Sequence, residues 1–355
     1  MNLIVEAPLN SLSFGNVSYN ILRELFKAKI DVAYFPIGEP DLVAMQPSQE
    51  FTEWLRGCLN KRFDALDQNL PTLRLWHLNG SDFLRSRNQS LITFYECNNP
   101  TNIEKKIAGL QSNVLFSSEY ASNQFENSKS FKLGFDEDFF VTGKKYLQDR
   151  IHFGICGKFE KRKHTEKLIK AWLKKYGNDN RYLLSCCITN PFFKPEDMQK
   201  VIANLLEGKN YSNINFIPWL KTNAEMNEFL NAIDIDLTGM SGGEGWNLPA
   251  FNATCLGKWS IVLNATSHKD WANNDNSILV EPNGEQPVED GVFFKNGSEF
   301  NQGTFFTFDE DQFISALELS ETKAGQINAC GTLLGQTFTY KSTLEQILSS
   351  INLAQ

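Results

Sequence analysis

The sequence predicts an α/β protein with two domains, each built on a parallel sheet. Residues 2–7, a helix through Ile21, Leu22, Leu25 and Phe26, and residues 30–35 form a strand–helix–strand opening. Such an opening belongs to parallel sheets. The same alternation restarts at residues 151–155, after a polar stretch around Gly143 and Lys144. A length of 355 residues suits two domains with ample cores.

Composition narrows the class. The apolar and charged fractions are those of an ordinary globular chain, and 28 Phe foretell aromatic-rich cores. A net charge of −8 argues against a broad nucleic-acid surface. The seven Cys are scattered without CxxC spacing, and Cys186-Cys187 sit in an apolar run. This pattern fits buried thiols in a reducing compartment and no metal knuckle. The N-terminus lacks a basic segment followed by an apolar one, and no run reaches membrane-spanning length. A cytoplasmic protein without an integral membrane segment is therefore expected.

In the first domain, the apolar positions of the first helix follow the spacing of one helix face. Ligands of parallel sheets lie beyond strand C-termini, which places a loop at 15–18, with Gly15, beside a cleft. The plainer alternative is that Gly15 only permits the turn. Residues 73–78, 91–95 and 114–116 read as further strands, and 118–125 as a helix. Glu96 follows the second of these strands. It has two readings: a group that binds or deprotonates a hydroxyl, or a carboxylate at a helix N-terminus.

The second domain opens with a strand and then Gly157-Lys158-Phe159-Glu160-Lys161-Arg162-Lys163-His164, ahead of a helix. Cations between a strand and a helix start can seat a diphosphate, the alternative being a solvated basic helix start. They are unfavourable beside a helix N-terminus for its own sake. Residues 182–188 and 214–219 read as strands, and 198–206 and 224–233 as helices. In 234–236 alternation aims Asp234 and Asp236 to one face; a metal-binding DxD reading lacks its context. Residues 232–237 then lead into Met240-Ser241-Gly242-Gly243-Glu244-Gly245-Trp246-Asn247-Leu248-Pro249, with a helix over 250–256 stopped by Gly257. Glycines admit close approach of a ligand, a helix start offers N–H groups to an anion, and Glu244 can accept from hydroxyls. An ordinary turn with a surface carboxylate is the alternative. Residues 259–263 form the next strand. His268 follows it, either touching sugar or phosphate or lying in a surface loop. A last amphipathic helix covers 338–351.

Glu244 to Pro249, then Ala253 and Gly257, resembles the donor-site motif of retaining GT-B glycosyltransferases of the family-4 type. That motif reads Glu-Gly-Phe-Gly-Leu-Pro, then a second Glu and Ala. Glu244 matches the first Glu and Asn252 stands at the second, where an uncharged amide both donates and accepts. The segment 157–171 resembles the family's Gly-Arg, Lys-Gly, Leu-Ile and Ala pattern. Lys158 falls on the Arg, Lys163 on the Lys and His164 on the Gly. Residues 133–140 resemble the family's interdomain linker.

The resemblance implies two Rossmann-like domains facing a cleft, with a C-terminal helix crossing back to the first. The acceptor-side domain would span 1–140 plus the helix 338–355, and the nucleotide-sugar domain 141–337. It implies transfer of a sugar from a nucleotide-diphosphate sugar to an acceptor hydroxyl, with retention, no metal and no cofactor. Glu244 and Glu96 would be catalytic, and Lys158 and Lys163 would hold the donor phosphates. Gly15, Gly243, Gly245, Trp246, Asn247, Leu248, Asn252, Pro218 and His268 would face the donor's sugar or nucleotide. The acceptor is open: a glycan, a lipid-linked sugar, a small molecule or, as a minority reading, modified DNA. The alternative is a catalytically degenerate GT-B protein that binds nucleotide or sugar, or serves as a scaffold.

Overall fold

The computed structural model describes residues 2–65, 67–144, 146–147, 149–290 and 293–351. Strands β1 (Leu3–Ala7), β2 (Val32–Pro36), β3 (Thr72–Leu75), β4 (Gln89–Thr93), β5 (Asn113–Phe116) and β6 (Lys129–Ser130) form one parallel sheet in the order β2-β1-β3-β4-β5-β6. Helices α1 (Ser13–Lys27), α2 (Gln49–Asn60), α3 (Asn102–Leu110) and α4 (Glu119–Ser122) belong to this half. The second sheet contains β7 (Ile151–Cys156), β8 (Tyr182–Cys187), β9 (Ile214–Phe216), β10 (Ile235–Asp236), β11 (Trp259–Leu263) and β12 (Ser277–Val280). It is also parallel, in the order β12-β11-β10-β7-β8-β9. Its helices are α5 (Thr165–Tyr176), α6 (Pro195–Leu205), α7 (Asn223–Ala232) and α8 (Leu248–Cys255). An antiparallel hairpin of β13 (Pro282–Pro287) and β14 (Thr304–Phe308) follows, then α9 (Glu310–Glu321), α10 (Ala329–Thr337) and α11 (Tyr340–Ser350).

Both sheets are apolar on two faces, as parallel strands under helices must be: β1 and β4 are buried along their whole length, and β7 at all but its first residue. Side-chain caps fix several helix starts. Thr101 and Glu104 form a reciprocal capping box on α3, Thr222 and Glu225 do so on α7, and Thr339 caps α11.

The chain returns to its first half at the end. Helix α11 lies against α1 and buries Tyr340, Leu344, Ile347 and Leu348 in the first core. Residues 352–355 of the expected returning helix lie outside the described residues. The same core takes in Trp246, Phe251 and Trp271 from the second half. A polar joint stands beside it. Arg23 pairs with Asp136 at 3.2 Å and Asp138 at 2.7 Å, and Asp138 also accepts from Asn223 at 2.8 Å.

Some elements depart from the sequence reading. Helix α1 begins at Ser13, so residues 15–18 are helical and the loop after β1 is 8–12. Without a Cβ, Gly15 packs against the Asn10 main chain, which a side chain would meet at 2.2 Å. Strand β3 stops at Leu75, and α4 is a single turn ending at Ser122. Asp234 and Asp236 serve the backbone, accepting from the N–H groups of His152 and Thr238.

Candidate active site

A cavity of about 880 Å³ lies between the two halves. Its place follows from topology. In each sheet the chain reverses its direction of winding once, between β1 and β3 in the first and between β7 and β10 in the second. Loops that leave such neighbouring strands diverge and leave a crevice. All four loops line the cavity: Pro8–Leu12 after β1, Trp76–Gly80 after β3, Gly157–Lys163 after β7 and Glu244–Asn247 beyond β10.

The second-domain wall is a chain of alternating charges. Lys163 Nζ donates to Glu244 Oε1 at 2.6 Å, and Arg162 Nη1 lies 3.0 Å from the same oxygen. Arg162 Nε lies 2.9 Å from Glu160, and Lys158 Nζ lies 2.9 Å from its other oxygen. Gly157, at φ 126°, makes the turn out of β7, and the Lys163 side chain lies over it, 3.6 Å from where a Cβ would stand. Burial pushes the Glu244 carboxyl up, but Arg162 and Lys163 outweigh it and hold the group far below the usual carboxylate range. Glu244 is therefore ionised. Glu160 is lowered too: burial raises it, and Arg162, Lys163 and Lys158 overcome that. Arg162 is the residue the sequence motif does not single out. Buried, it also donates to the Gly243 carbonyl at 2.6 Å and so bonds the cationic loop to the glycine loop.

The glycine loop is tight because protein fills the space around it. A Cβ on Gly242 would meet the Phe306 carbonyl of β14 at 2.1 Å, one on Gly243 the Phe305 ring at 2.8 Å, and one on Gly245 the Phe94 Cβ at 2.6 Å. The glycines thus serve close packing of the hairpin and the first domain, with Gly245 also on the cavity wall. His164 and Asn247, where the resembled motifs have Gly, take left-handed conformations with φ 54° and 68°. Asn and His visit this region more readily than most side chains. Asn247 donates to the Thr238 carbonyl at 3.0 Å. Trp246 is buried among Phe251 and Phe338. Asn247 leads directly into α8, whose first turn no side chain caps, and Trp246, Leu248 and Asn252 line the cavity. Asn252 Oδ1 is buried with no hydrogen-bond partner among the described residues.

Four expected residues stand back from the cavity lining, among them Gly243, which packs against the Phe305 ring of β14. His268 is fully buried: its Nδ1 bonds the Leu263 carbonyl at 2.9 Å and its Nε2 contacts Asn247 Nδ2 at 3.0 Å. Burial drives it down to about 4, with Glu244 and the Leu263 carbonyl opposing. A neutral ring with Nδ1–H satisfies both bonds, so His268 braces the loop from behind. Pro218 is exposed, and its neighbours Trp219 and Leu220 face the cavity instead. Gly15 lies beneath Asn10, Ser11 and Phe14, which do line it.

Across the cleft, Glu96 lies in the loop between β4 and α3. The helix N-terminal carboxylate is Glu104, so that reading of Glu96 does not apply. Burial raises the Glu96 carboxyl; Arg162 holds it back, and Glu244 and Glu160 push it further up. Beside it stand Phe14, Trp76, His77 and Phe94, which no motif marked.

No protein-family model matches the chain, and no curated protein matches it. Solved structures do. Sucrose-phosphate synthase from Thermosynechococcus elongatus superposes with a TM-score of 0.70 at 12% identity, over 98% of this chain and 97% of that one. A glycosyltransferase from Rickettsia africae gives 0.66 at 10% identity, over 99% and 97%. HepE from Anabaena, in complex with UDP-glucose, gives 0.64 at 12% identity, over 99% of both chains. The fold is GT-B. At these identities the likeness fixes architecture alone. A GT-B frame places its two Rossmann-like halves face to face, and here the cations at 158, 162 and 163, Glu244 and Glu96 all meet in the crevice between them. No helix among the described residues is long and apolar enough to cross a membrane.

Proposed function

We propose that the chain is a glycosyltransferase that moves a sugar from a nucleoside-diphosphate sugar to an acceptor hydroxyl. The observation that carries this is the convergence of Lys158, Arg162, Lys163 and ionised Glu244 on one interdomain cavity beside the uncapped start of α8. HepE, of the same fold, is named as binding UDP-glucose and UDP.

In this reading the donor diphosphate displaces Glu160 and Glu244 from the cations and takes their place, helped by main-chain N–H groups at the start of α8. Glu244, freed from Lys163, accepts from hydroxyls of the sugar and fixes its anomeric carbon. Asn252 Oδ1 offers a buried acceptor to a donor hydroxyl. The bond from the anomeric carbon to the leaving phosphate oxygen breaks as the acceptor oxygen bonds to that carbon. The acceptor proton passes to the phosphate, and Glu96, with its raised affinity for a proton, orients the acceptor hydroxyl. We propose retention of configuration, the outcome the motif resemblance implies, with the charge of the leaving group borne by the protein's own cations.

The test is a screen of UDP-, GDP- and ADP-sugars for slow hydrolysis and transfer, with the product anomer read by NMR. One donor is expected to turn over, with retention. A protein that binds a nucleotide diphosphate yet turns over none would be the degenerate binding module. One that binds none would leave the cavity without this function.

A further inference from the structure

The two walls of the cavity differ in charge, and that difference selects an acceptor. Resting on the proposed glycosyl transfer, we infer that the acceptor is an uncharged sugar or glycoside, stacked on the aromatic wall of Trp76, His77, Phe14 and Phe94. Phosphorylated or carboxylated acceptors are disfavoured at this wall.

The cations of the lining, Lys158, Arg162, Lys163 and Lys221, all come from the second half. Among the described residues the first-domain wall contributes no Lys or Arg to the cavity, but it does contribute three carboxylates. Two of these are already engaged. Glu104 accepts from the N–H groups of Thr101 and Asn301, each at 2.8 Å, and Asp136 accepts from Asn20 at 2.8 Å and Arg23 at 3.2 Å. Glu96 is left facing the cleft. An acceptor phosphate here would meet the Glu96 carboxyl, and the cations that act on Glu96, Arg162 and Lys158, belong to the opposite wall; like charges brought together in a recess repel. The second-domain cations cannot serve it as well, since the donor diphosphate needs them. His77, though part of it stays exposed, is a poor source of charge: its enclosure in the cleft and then Lys158 lower its affinity for a proton.

What the wall offers instead is an apolar platform with polar edges. The Phe14 ring lies 4.3 Å from His77 and 4.5 Å from Phe94, and Trp76 lies 5.3 Å from His77. The C–H groups on one face of a sugar ring carry partial positive charge and pack on aromatic faces, which are negative. Hydroxyls at the ring's edge need acceptors. Asn16 lines the same wall, and its Oδ1 is buried with no hydrogen-bond partner among the described residues.

The experiment uses the full chain with whichever of UDP-glucose, UDP-galactose, GDP-mannose and ADP-glucose it hydrolyses. Acceptors are the methyl glycosides of glucose, galactose, mannose and N-acetylglucosamine, set against glucose 6-phosphate and glucuronate. Transfer to at least one methyl glycoside is expected, with kcat/KM at least tenfold above either anion. Trp76→Ala should raise the KM for that glycoside tenfold or more while the Kd for the nucleoside diphosphate is unchanged, and Trp76→Phe should restore most of the loss. His77→Arg should raise transfer to glucose 6-phosphate. Preference for an anionic acceptor, donor hydrolysis with transfer to no methyl glycoside, or an unchanged KM in Trp76→Ala would each overturn the inference and leave glycosyl-donor chemistry standing. Failure to bind or hydrolyse any donor would instead remove the transferase reading itself.

Discussion

Glu244→Gln should do two opposite things at once. Without ligand, Glu244 is the counter-charge of two buried cations, with Lys163 Nζ at 2.6 Å and Arg162 Nη1 at 3.0 Å. Gln keeps the shape and one acceptor but removes the charge. Breaking a buried ion pair from one side costs about 3–5 kcal/mol, and a retained hydrogen bond places this case near the lower end, about 3 kcal/mol. A bound diphosphate restores negative charge to the same cations. The ligand then no longer has to separate Lys163 from a carboxylate, a charge-assisted bond of about 1.5–3 kcal/mol. Even half of that release tightens nucleoside-diphosphate binding by roughly three- to tenfold. Transfer should fall about a hundredfold, because the sugar loses the group that positions it. The assays are urea unfolding, calorimetric titration with UDP, GDP and ADP, and initial rates with the matching sugar nucleotide. Lower stability with tighter diphosphate binding and slower transfer is the expected set. Unchanged stability together with unchanged or weaker diphosphate binding would refute the idea that Glu244 and the phosphates share these cations.

Three further outcomes follow from the same geometry. Gly245→Ala places a Cβ 2.6 Å from the Phe94 Cβ and should cost about 1–3 kcal/mol by forcing the halves apart, read by denaturant midpoint; an unchanged midpoint would show that the loop yields freely. Asn252→Ala removes an acceptor that has no hydrogen-bond partner among the described residues, so stability should hold while nucleotide affinity drops about three- to tenfold; equal affinity would exclude Asn252 from the donor site. His268 stays neutral in the fold down to about 4 from an ordinary 6.5. The unfolded chain therefore binds the proton first, and this histidine's contribution is present above pH 6.5 and lost as pH falls toward 4, by about 3 kcal/mol in full. Unfolding free energies of wild type and His268→Gln across that window should converge at low pH, and parallel curves would contradict the assignment.

Much of this was legible in the sequence because it is local. Apolar runs such as 151–155 and 259–263 mark buried parallel strands, and both cation and glycine motifs are contiguous with the strands that aim them. Arg162 was visible in the cation cluster, but its bridge to Glu244 joins segments far apart in the chain. The glycines of 242–245 announced close approach, yet what approaches is β14 and Phe94, which no spacing reveals. Helix α2 escaped the reading although Phe51, Trp54, Leu55, Cys58 and Leu59 follow the spacing of one helix face; α3 is only nine residues long, and the first hairpin strand, Pro282–Pro287, shows no apolar alternation. Pro218 and His268 were each placed one step from the cavity: Trp219 lines it, and His268 holds Asn247, which does. The aromatic wall carries no motif because Phe14 comes from the first turn of α1 and Trp76 and Phe94 from the loops after β3 and β4, and they meet only in the folded chain.

The most direct test of the central claim is the affinity of Lys158→Ala/Lys163→Ala for UDP, GDP and ADP, measured beside wild type by titration calorimetry. Two charged contacts to the diphosphate at about 1.5–3 kcal/mol each predict that one nucleotide binds the wild type and that the double variant binds it at least a hundredfold more weakly. Equal affinity in the two proteins would mean that these cations hold no diphosphate.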